Sequence, residues 1–539
     1  MRPSKSYYMK KISPSALIIS VAIFLVVFEN ITFFEEVLKT YPLSETLSVL
    51  FLPSLAVVFS CVNIIILSLL CYRYTIKPVL ITLLLLSAAS AYFMDSYHVI
   101  IDDVMIDNIV KTDAGEAFDL LSIKQFLYIL FLGLVPALWI YKVPISHRSL
   151  KKAILSKTLL MGVSLIISVI IILSLGKFYA SFLRENKSLR YYANPSYYIY
   201  SAGKYFSNIY SLDAQPFMPI GLDAAISPVE TDRELIILVV GEAARADHFS
   251  LNGYSRKTNP RLEQEDIINF NNVWSCGTST AVSVPCMFGL AGHSDYKQSK
   301  AKTTGNLLDV VQQAGVNVLW LDNNSSSKGI ADRSEYQNYK TPDRNPVCDR
   351  ECRDVGMLAR LQSYIDGHPT GDILIVLHQM GNHGPAYYKR YPKEFERFTP
   401  TCQTNQLELC SAEEINNAYD NAILYTDFFL SETINLLKNN NADFEASLLY
   451  VSDHGESLGE TGLYLHGLPY ILAPEVQKHV PMLMWFGDNV DKEEVNIEML
   501  KSKTNERYSH DNIFHTILGL FEIDTAIYVP ALDMIPHND

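Results

Sequence analysis

Five long apolar runs open the chain, near residues 15–34, 46–71, 78–100, 125–141 and 158–176. Each approaches the roughly 20 residues a helix needs to cross a bilayer core. The run at 125–141 is the shortest and, alone, reads equally as a buried soluble helix. Five runs in succession predict membrane helices. After residue 230 the pattern changes to short apolar runs separated by helical stretches, with strands expected at Leu235–Val240, Val316–Leu321, Asp372–Leu377, Ser447–Val451 and Pro481–Trp485. That alternation predicts an α/β domain with a mostly parallel sheet flanked by helices. Ligands of such sheets bind beyond the carboxyl ends of the strands. Between the two patterns stand Tyr191, Tyr192, Tyr197, Tyr198, Tyr200, Tyr205 and Tyr210. A ring with an apolar body and a wet hydroxyl suits the lipid headgroup layer. A helix-containing linker on the membrane surface is therefore expected there, with ordinary packing as the equal alternative. The expected division is 1–180 for the membrane helices, 181–220 for the linker and 221–539 for the α/β domain.

Charge sharpens this division. The 539 residues are 49% hydrophobic and 19% charged, yet the formal net charge is −14. Residues 1–180 hold 15 Lys+Arg against 11 Asp+Glu, and the remainder holds 29 against 47. No basic face emerges, so a nucleic-acid partner is not expected. The apolar content, with 32 Tyr and 25 Phe, excludes a disordered chain. Lys and Arg mark the cytoplasmic side of membrane helices. They gather at Arg2, Lys5, Lys10 and Lys11, at Arg73 and Lys77, and at Lys142, Arg148, Lys151, Lys152 and Lys157. The other connections are acidic, with Glu35, Glu36 and Glu45, then Asp102, Asp103, Asp107, Asp113 and Glu116. Five crossings then place the C-terminal domain outside. The first run is followed by Phe28, Glu29 and Asn30 rather than a small-residue cleavage site, which favours an uncleaved anchor. Cys61 and Cys71 belong to the second run, where apolar packing accounts for them. The other six cysteines form close pairs, Cys276 with Cys286, Cys348 with Cys352, and Cys402 with Cys410. An even count in an exported domain predicts disulfides, expected here between those neighbours. A zinc cluster is the rival, but Cys348 and Cys352 lack a partner pair at finger-like spacing.

The strand ends are rich in metal-capable groups. The first expected strand ends in Gly241-Glu242, the third leads from His378 to His383, and the fourth ends in Asp453-His454-Gly455-Glu456, with His466 after a turn. Singly, each reads as an exposed or backbone-bonded residue. A parallel sheet brings them to one edge, where two carboxylates and an imidazole suit zinc. His510 and His515 stand at an expected helix start and read as capping or packing residues. A nucleophile is sought in Cys-Gly-Thr-Ser-Thr-Ala-Val-Ser-Val-Pro-Cys at 276–286. A hydroxyl at the start of a helix gains from the positive dipole and from free N–H groups that bind phosphate oxygens. Zinc beside it would make it an attacking alkoxide. On this ground Thr278, Ser279, Thr280 and Ser283 stay equal candidates.

Four stretches resemble the bacterial phosphoethanolamine transferases that modify lipid A, a family that includes the mobile colistin-resistance enzymes. They are Gly-Glu-Ala-Ala-Arg-Ala-Asp-His at 241–248, the 276–286 stretch above, His-Gln-Met-Gly-Asn-His-Gly-Pro at 378–385 and Ser-Asp-His-Gly-Glu-Ser at 452–457. The resemblance implies an alkaline-phosphatase/sulfatase-like periplasmic domain behind five helices in a Gram-negative inner membrane. It implies Thr280 as nucleophile and Glu242, Thr280, Asp453 and His454 as ligands of one zinc. Asn324, Lys328, His383, Glu456 and His466 would surround the transferred phosphoryl group. His383 and His466 would act as acid and base or hold a second zinc. Asn108 and Glu116 would bind the lipid substrate. The implied reaction is ping-pong transfer by a monomer from phosphatidylethanolamine to a phosphate of lipid A. An added ammonium there weakens attraction for cationic peptides such as polymyxin and colistin. Three rivals fit less well. A sulfatase signature would need an Arg that Ser283-Val-Pro-Cys-Met287 lacks. A glycerol-phosphate polymerase shares the helices and threonine but not the paired cysteines. A membrane-tethered zinc sensor would need the ligands and no nucleophile.

Overall fold

The computed structural model describes residues 11–42, 48–112, 114–146, 149–212, 216–227, 232–490 and 495–535. Of the residues named above, Arg2, Lys5, Lys10, Glu45, Asp113 and Arg148 lie outside the described residues. The chain forms two compact units. One takes residues up to Ile106 together with Leu121–Tyr205; the other takes Asp107–Leu120 together with Phe206–Asp539.

In the first unit, Val49–Leu70, Ile76–Tyr97, Ile123–Lys142 and Leu150–Ser174 are long and apolar enough to cross a membrane. Pro14–Phe28 and Ile31–Thr40 meet at 58° and make a fifth if they form one broken span. The bend frees carbonyls that an apolar surrounding cannot satisfy. At this bend Asn194 Nδ2 donates to Glu29 O at 3.0 Å and also to Ser87 O at 3.0 Å, while Asn30 Nδ2 ties the bend to Leu25 O at 2.9 Å and Asn194 O at 2.7 Å. Ile123–Lys142 contains a π-helical stretch, Ile129–Leu134. There a Cβ on Gly133 would lie 3.1 Å from Leu85, so the small residue lets two helices approach. Leu150–Ser174 leaves Ile154, Leu159, Leu165 and Ile170 exposed, an apolar surface suited to lipid. The tyrosine segment is mixed: Tyr198 is buried with its hydroxyl 3.2 Å from Ser87 Oγ, while Tyr200 is exposed.

The second unit is an α/β domain. Its main sheet contains β1 (Glu234–Gly241), β2 (Ile268–Trp274), β3 (Asn317–Asp322), β4 (Glu335–Asn338), β5 (Ile373–His378), β6 (Glu445–Ser452), β7 (His479–Phe486) and β8 (Tyr508–Ser509). Their order is β8-β2-β7-β6-β1-β5-β3-β4. Only β7 runs antiparallel to its neighbours, β6 and β2. All five expected strands are present. β1, β5 and β6 are buried along nearly their whole length because helices cover both faces, which is why they read as unbroken apolar runs. β2 was not expected: its sequence, Ile-Asn-Phe-Asn-Asn-Val-Trp, has the asparagines of a loop, yet Ile268 and Phe270 alternate into the core, and a shift of register against β7 brings Val273 in after them. Ala412–Lys438 covers the sheet and starts in a capping box, with Ser411 Oγ accepting from Glu414 N and the Glu414 side chain accepting from Ser411 N. Three disulfides join Cys276 to Cys286, Cys348 to Cys352 and Cys402 to Cys410, while Cys61 and Cys71 are free.

Candidate active site

Register brings the strand-end residues together. Gly241 of β1 pairs with Ser452 of β6, so Glu242 and Asp453 leave adjacent strands at one level. Val240 pairs with His378 of β5, and Asp322 of β3 pairs with that same His378, so the chain after β3 and β5 arrives at the same edge. Glu242, Asp453 and His454 are fully buried and each offers a ligand atom within 4.8 Å of the others. His454 Nε2 lies 3.4 Å from Glu242 Oε1 and 3.5 Å from Asp453 Oδ2. Among the described residues, those two carboxylate oxygens have no hydrogen-bond donor. A buried carboxylate oxygen without a donor is costly. A divalent cation would satisfy both, so this donor set fits zinc. Burial opposes protonation of His454, but the Asp453 and Glu242 carboxylates outweigh it and raise the imidazole. Gly381 has φ +49°, and a Cβ there would come 2.9 Å from the Glu242 carbonyl; only glycine lets the loop after β5 close over Glu242.

Of the four candidate hydroxyls, Thr280 faces this set. Its Oγ1 donates to Glu242 Oε2 at 3.0 Å and lies 3.5 Å from His454 Nε2. Thr280 is the first residue of the helix Thr280–Met287. Thr278 is turned away, donating to Leu468 O at 2.6 Å. The Cys276–Cys286 disulfide joins the segment before this helix to its last turn. His510 ties it to β6: Cys276 N donates to His510 Nδ1 at 3.1 Å, and His510 Nε2 is 2.9 Å from Ser452 O. Those contacts need a neutral ring, and burial pushes His510 down to about 3. The capping reading of His510 therefore gives way to a bridge between the threonine and the Asp453 strand. His515 Nδ1 accepts from Val529 N and packs remotely.

Asn324 Nδ2 donates to Glu242 Oε2 at 2.8 Å and to Gln379 O at 2.7 Å. His383 and His466 stand beside the set, their rings 5.9 Å apart, and with Glu242 they form a second group of possible ligands. Burial pushes each imidazole down to about 3. His466 Nδ1 lies 3.1 Å from Glu456 Oε2, and burial holds the Glu456 carboxyl well above its usual range. Lys328 is not in this group; its Nζ donates to Ser325 O at 2.9 Å and lines a cavity beside Ala281 and Pro285. Asn108 lies on the helix Asp103–Lys111, and its carbonyl accepts from Thr112 Oγ1 at 2.8 Å. Glu116 lies on Ala114–Asp119, its side chain outside the described residues. The cluster of Cys276, Cys286 and Asp511 is no metal site, because its sulfurs are a disulfide.

Several residues that shape the site gave no sequence signal. Buried Asp354 accepts from Met380 N at 2.8 Å and Gly381 N at 3.1 Å, fixing the loop after β5. Asp322 accepts from Asn324 N at 3.0 Å and lies 3.1 Å from His378 Nδ1. Arg390 donates from Nε to His383 O at 2.6 Å, and pairs with Glu351 at 2.5 Å and Asp119 at 2.9 Å. Asp354 acts on the loop after β5, Asp322 also through His378, and Arg390 also through Glu351 and Asp119, contacts between separate segments that no local pattern reveals.

Comparison with known proteins agrees with this architecture. The sulfatase family model matches residues 234–523, and the phosphoethanolamine transferase EptA/EptB model matches 59–210. Phosphatidylethanolamine transferase Mcr-2 of Escherichia coli is 42% identical over 535 residues, 97% of this chain and 98% of the relative. Phosphoethanolamine transferase EptA of E. coli K12 is 42% identical over 520 residues, 94% of this chain and 93% of the relative. Among solved structures, the integral membrane lipooligosaccharide phosphoethanolamine transferase A of Neisseria meningitidis superposes with a TM-score of 0.94 at 35% identity, covering 98% of this chain and 99% of that one. With membrane-spanning helices ahead of a sulfatase-type domain, and relatives this similar over almost its whole length, the chain belongs to the phosphoethanolamine transferase family.

Proposed function

We propose that this protein moves phosphoethanolamine from phosphatidylethanolamine to a phosphate of lipid A, in two half-reactions through Thr280. In the first, a bond forms between Thr280 Oγ and the donor phosphorus, and the bond from phosphorus to the diacylglycerol oxygen breaks. That oxygen takes up the proton Thr280 gives up. In the second, an oxygen of the acceptor phosphate attacks the same phosphorus, the bond to Oγ breaks, and Thr280 regains a proton. The observation that carries this reading is the hydroxyl 3.0 Å from Glu242, beside two buried carboxylate oxygens without donors.

Glu242, Asp453, His454 and Thr280 would hold one zinc ion. Bound there, zinc supplies Lewis acidity, which favours ionised Thr280 and offsets charge on the phosphoryl oxygens. Asn324 holds Glu242 in place through its amide. Lys328, on the cavity beside Ala281 and Pro285, would reach toward the phosphoryl oxygens and offset their charge. His383 and His466, the latter supported by Glu456, handle the proton on the leaving and attacking oxygens. Asn108 and Glu116 engage the lipid substrate. The protein works as a monomer in a Gram-negative inner membrane, with 1–180 in the bilayer, 181–220 at its surface and 221–539 in the periplasm. The added ammonium confers polymyxin and colistin resistance by weakening the attraction of lipid A for cationic peptides.

The test is expression in a Gram-negative host followed by mass spectrometry of lipid A. A phosphoethanolamine increment is expected with the natural chain and none with Thr280→Ala. Unchanged lipid A, with folded and membrane-inserted protein, would overturn the reading.

A further inference from the structure

Beside the threonine helix lies a cavity of about 410 Å³, lined by Ala281 and Pro285 of that helix, by Lys111, Lys302, Lys328 and Arg333, and by one carboxylate, Asp332. Its size suits a phosphosugar headgroup rather than a single ion. Arg333 is neutralised by a two-pronged pair with Asp309, both contacts at 2.6 Å. Of the three lysines, Lys328 donates to Ser325 O, which leaves Lys111 and Lys302. Lys111 and Lys302 share one carboxylate, the buried Asp107: Lys111 Nζ is 2.6 Å from Oδ2 and Lys302 Nζ is 3.8 Å from Oδ1. Gln298 Nε2 also donates to Asp107 Oδ2 at 2.9 Å, occupying more of that oxygen. Burial and the neighbouring Lys111 ammonium together lower the Lys302 pKa. Among the described residues that leaves two ammonium groups crowded on one carboxylate in a half-buried cavity, a place where an anion would add the missing negative charge.

Phosphatidylethanolamine is a poor fit. Its single phosphate is consumed at Thr280, and its ammonium would be repelled by the lysines. The acceptor is the better match, since a glycolipid with two phosphates presents one for reaction and keeps a second, doubly charged. We propose that Lys111 and Lys302 form an anion subsite for the non-reacting phosphate monoester of a bis-phosphorylated glycolipid acceptor. This rests on the transferase reading above and adds a specificity site to it.

The experiment uses the full-length protein in detergent, with a fluorescent phosphatidylethanolamine donor and two acceptors, bis-phosphorylated lipid A and its monophosphoryl form. The natural chain should show an acceptor KM about tenfold lower for the bis-phosphorylated form. Lys302→Gln and Lys111→Gln should each raise that KM about tenfold and leave the KM for the monophosphoryl form within twofold. Diacylglycerol release without acceptor should stay within twofold, and Lys302→Arg should keep the natural KM. Equal KM values for the two acceptors with the natural chain would overturn the subsite, even if the glutamine variants failed to fold. So would slowed diacylglycerol release in those variants, which would give the cavity to the donor. Competition by phosphatidylglycerol vesicles as strong as by lipid A would give it to any anionic phospholipid and equally overturn the proposal. If the natural chain modified neither acceptor, the transferase reading itself would fail, a distinct result.

Discussion

Glu242 and Asp453 are two carboxylates buried side by side, and their mutual repulsion sets a residue-level test. In Asp453→Asn the amide keeps Oδ1, which accepts from Ala243 N at 3.2 Å and His454 N at 2.7 Å, and removes only the charge. After chelation, this variant should melt no lower than the natural chain. Zinc at a hundred times its Kd should stabilise the natural chain by about 2.7 kcal/mol. It should barely move Asp453→Asn or Glu242→Gln in a thermal melt. An undiminished zinc shift in both would remove these residues from the metal. Asn324→Asp is the complementary change. It sets a third carboxylate against Glu242 in place of a donor at 2.8 Å, and should cost on the order of 2 kcal/mol in the metal-free protein. A metal-free melt equal to that of the natural chain would show that the Asn324 amide does not support Glu242. At this scale the sequence was most legible where a residue directly follows an apolar strand, as Glu242 and Asp453 do. Asp354 and His510 were not legible, since their partners are backbone groups tens to hundreds of residues away.

Between residues and fold, the segment Asp107–Leu120 illustrates what apolar patterning leaves out. It lies between two membrane runs in sequence, yet it packs with the α/β unit. Its last anchor there is Asp119, 2.5 Å from Lys389 Nζ and 2.9 Å from Arg390 Nη2, while Arg390 also holds the carbonyl of His383. Burial opposes ionisation of Asp119, but Arg390 and Lys389 outweigh it and hold the carboxyl below its ordinary range. A carboxylate whose folded pKa is depressed stabilises the fold fully above its unfolded value, near 4, and loses that stabilisation as pH falls through the folded value. Protease cleavage within 107–120 should therefore be slow at pH 7 and speed up below about pH 4. Asp119→Asn should show fast cleavage already at pH 7. Equal cleavage of both proteins at neutral pH would mean the ion pairs do not hold the segment. Strands were better legible than such anchors because burial on both faces leaves a continuous apolar run. β2 escaped because one of its faces carries asparagine.

For the whole molecule, the side of the membrane on which the α/β unit lies depends on one element. The four long helices alone would return the chain to its starting side, while the bent pair Pro14–Phe28 and Ile31–Thr40, if it forms one broken span, makes the number odd. Fifteen residues of helix reach only about 22 Å, short of the roughly 30 Å hydrocarbon core, so the first helix cannot cross unaided. The Asn194 side chain supplies what a broken span needs, a partner for the Glu29 carbonyl where the helix stops. The three disulfides also belong with an oxidising compartment. Basic residues after the second and fourth spans add the same orientation. The expected outcome is a dark green-fluorescent-protein fusion at the C-terminus and a bright one at the N-terminus, because that reporter does not fold after export in its unfolded form. A bright C-terminal fusion on an inserted protein would make the count even and put the site in the cytoplasm. Thiol labelling separates the cases again: without reductant, a membrane-permeant maleimide in denaturant should reach Cys61 and Cys71 and none of the six paired cysteines. Labelling of all eight would place the α/β unit in a reducing compartment, away from the lipid A phosphates it is proposed to modify.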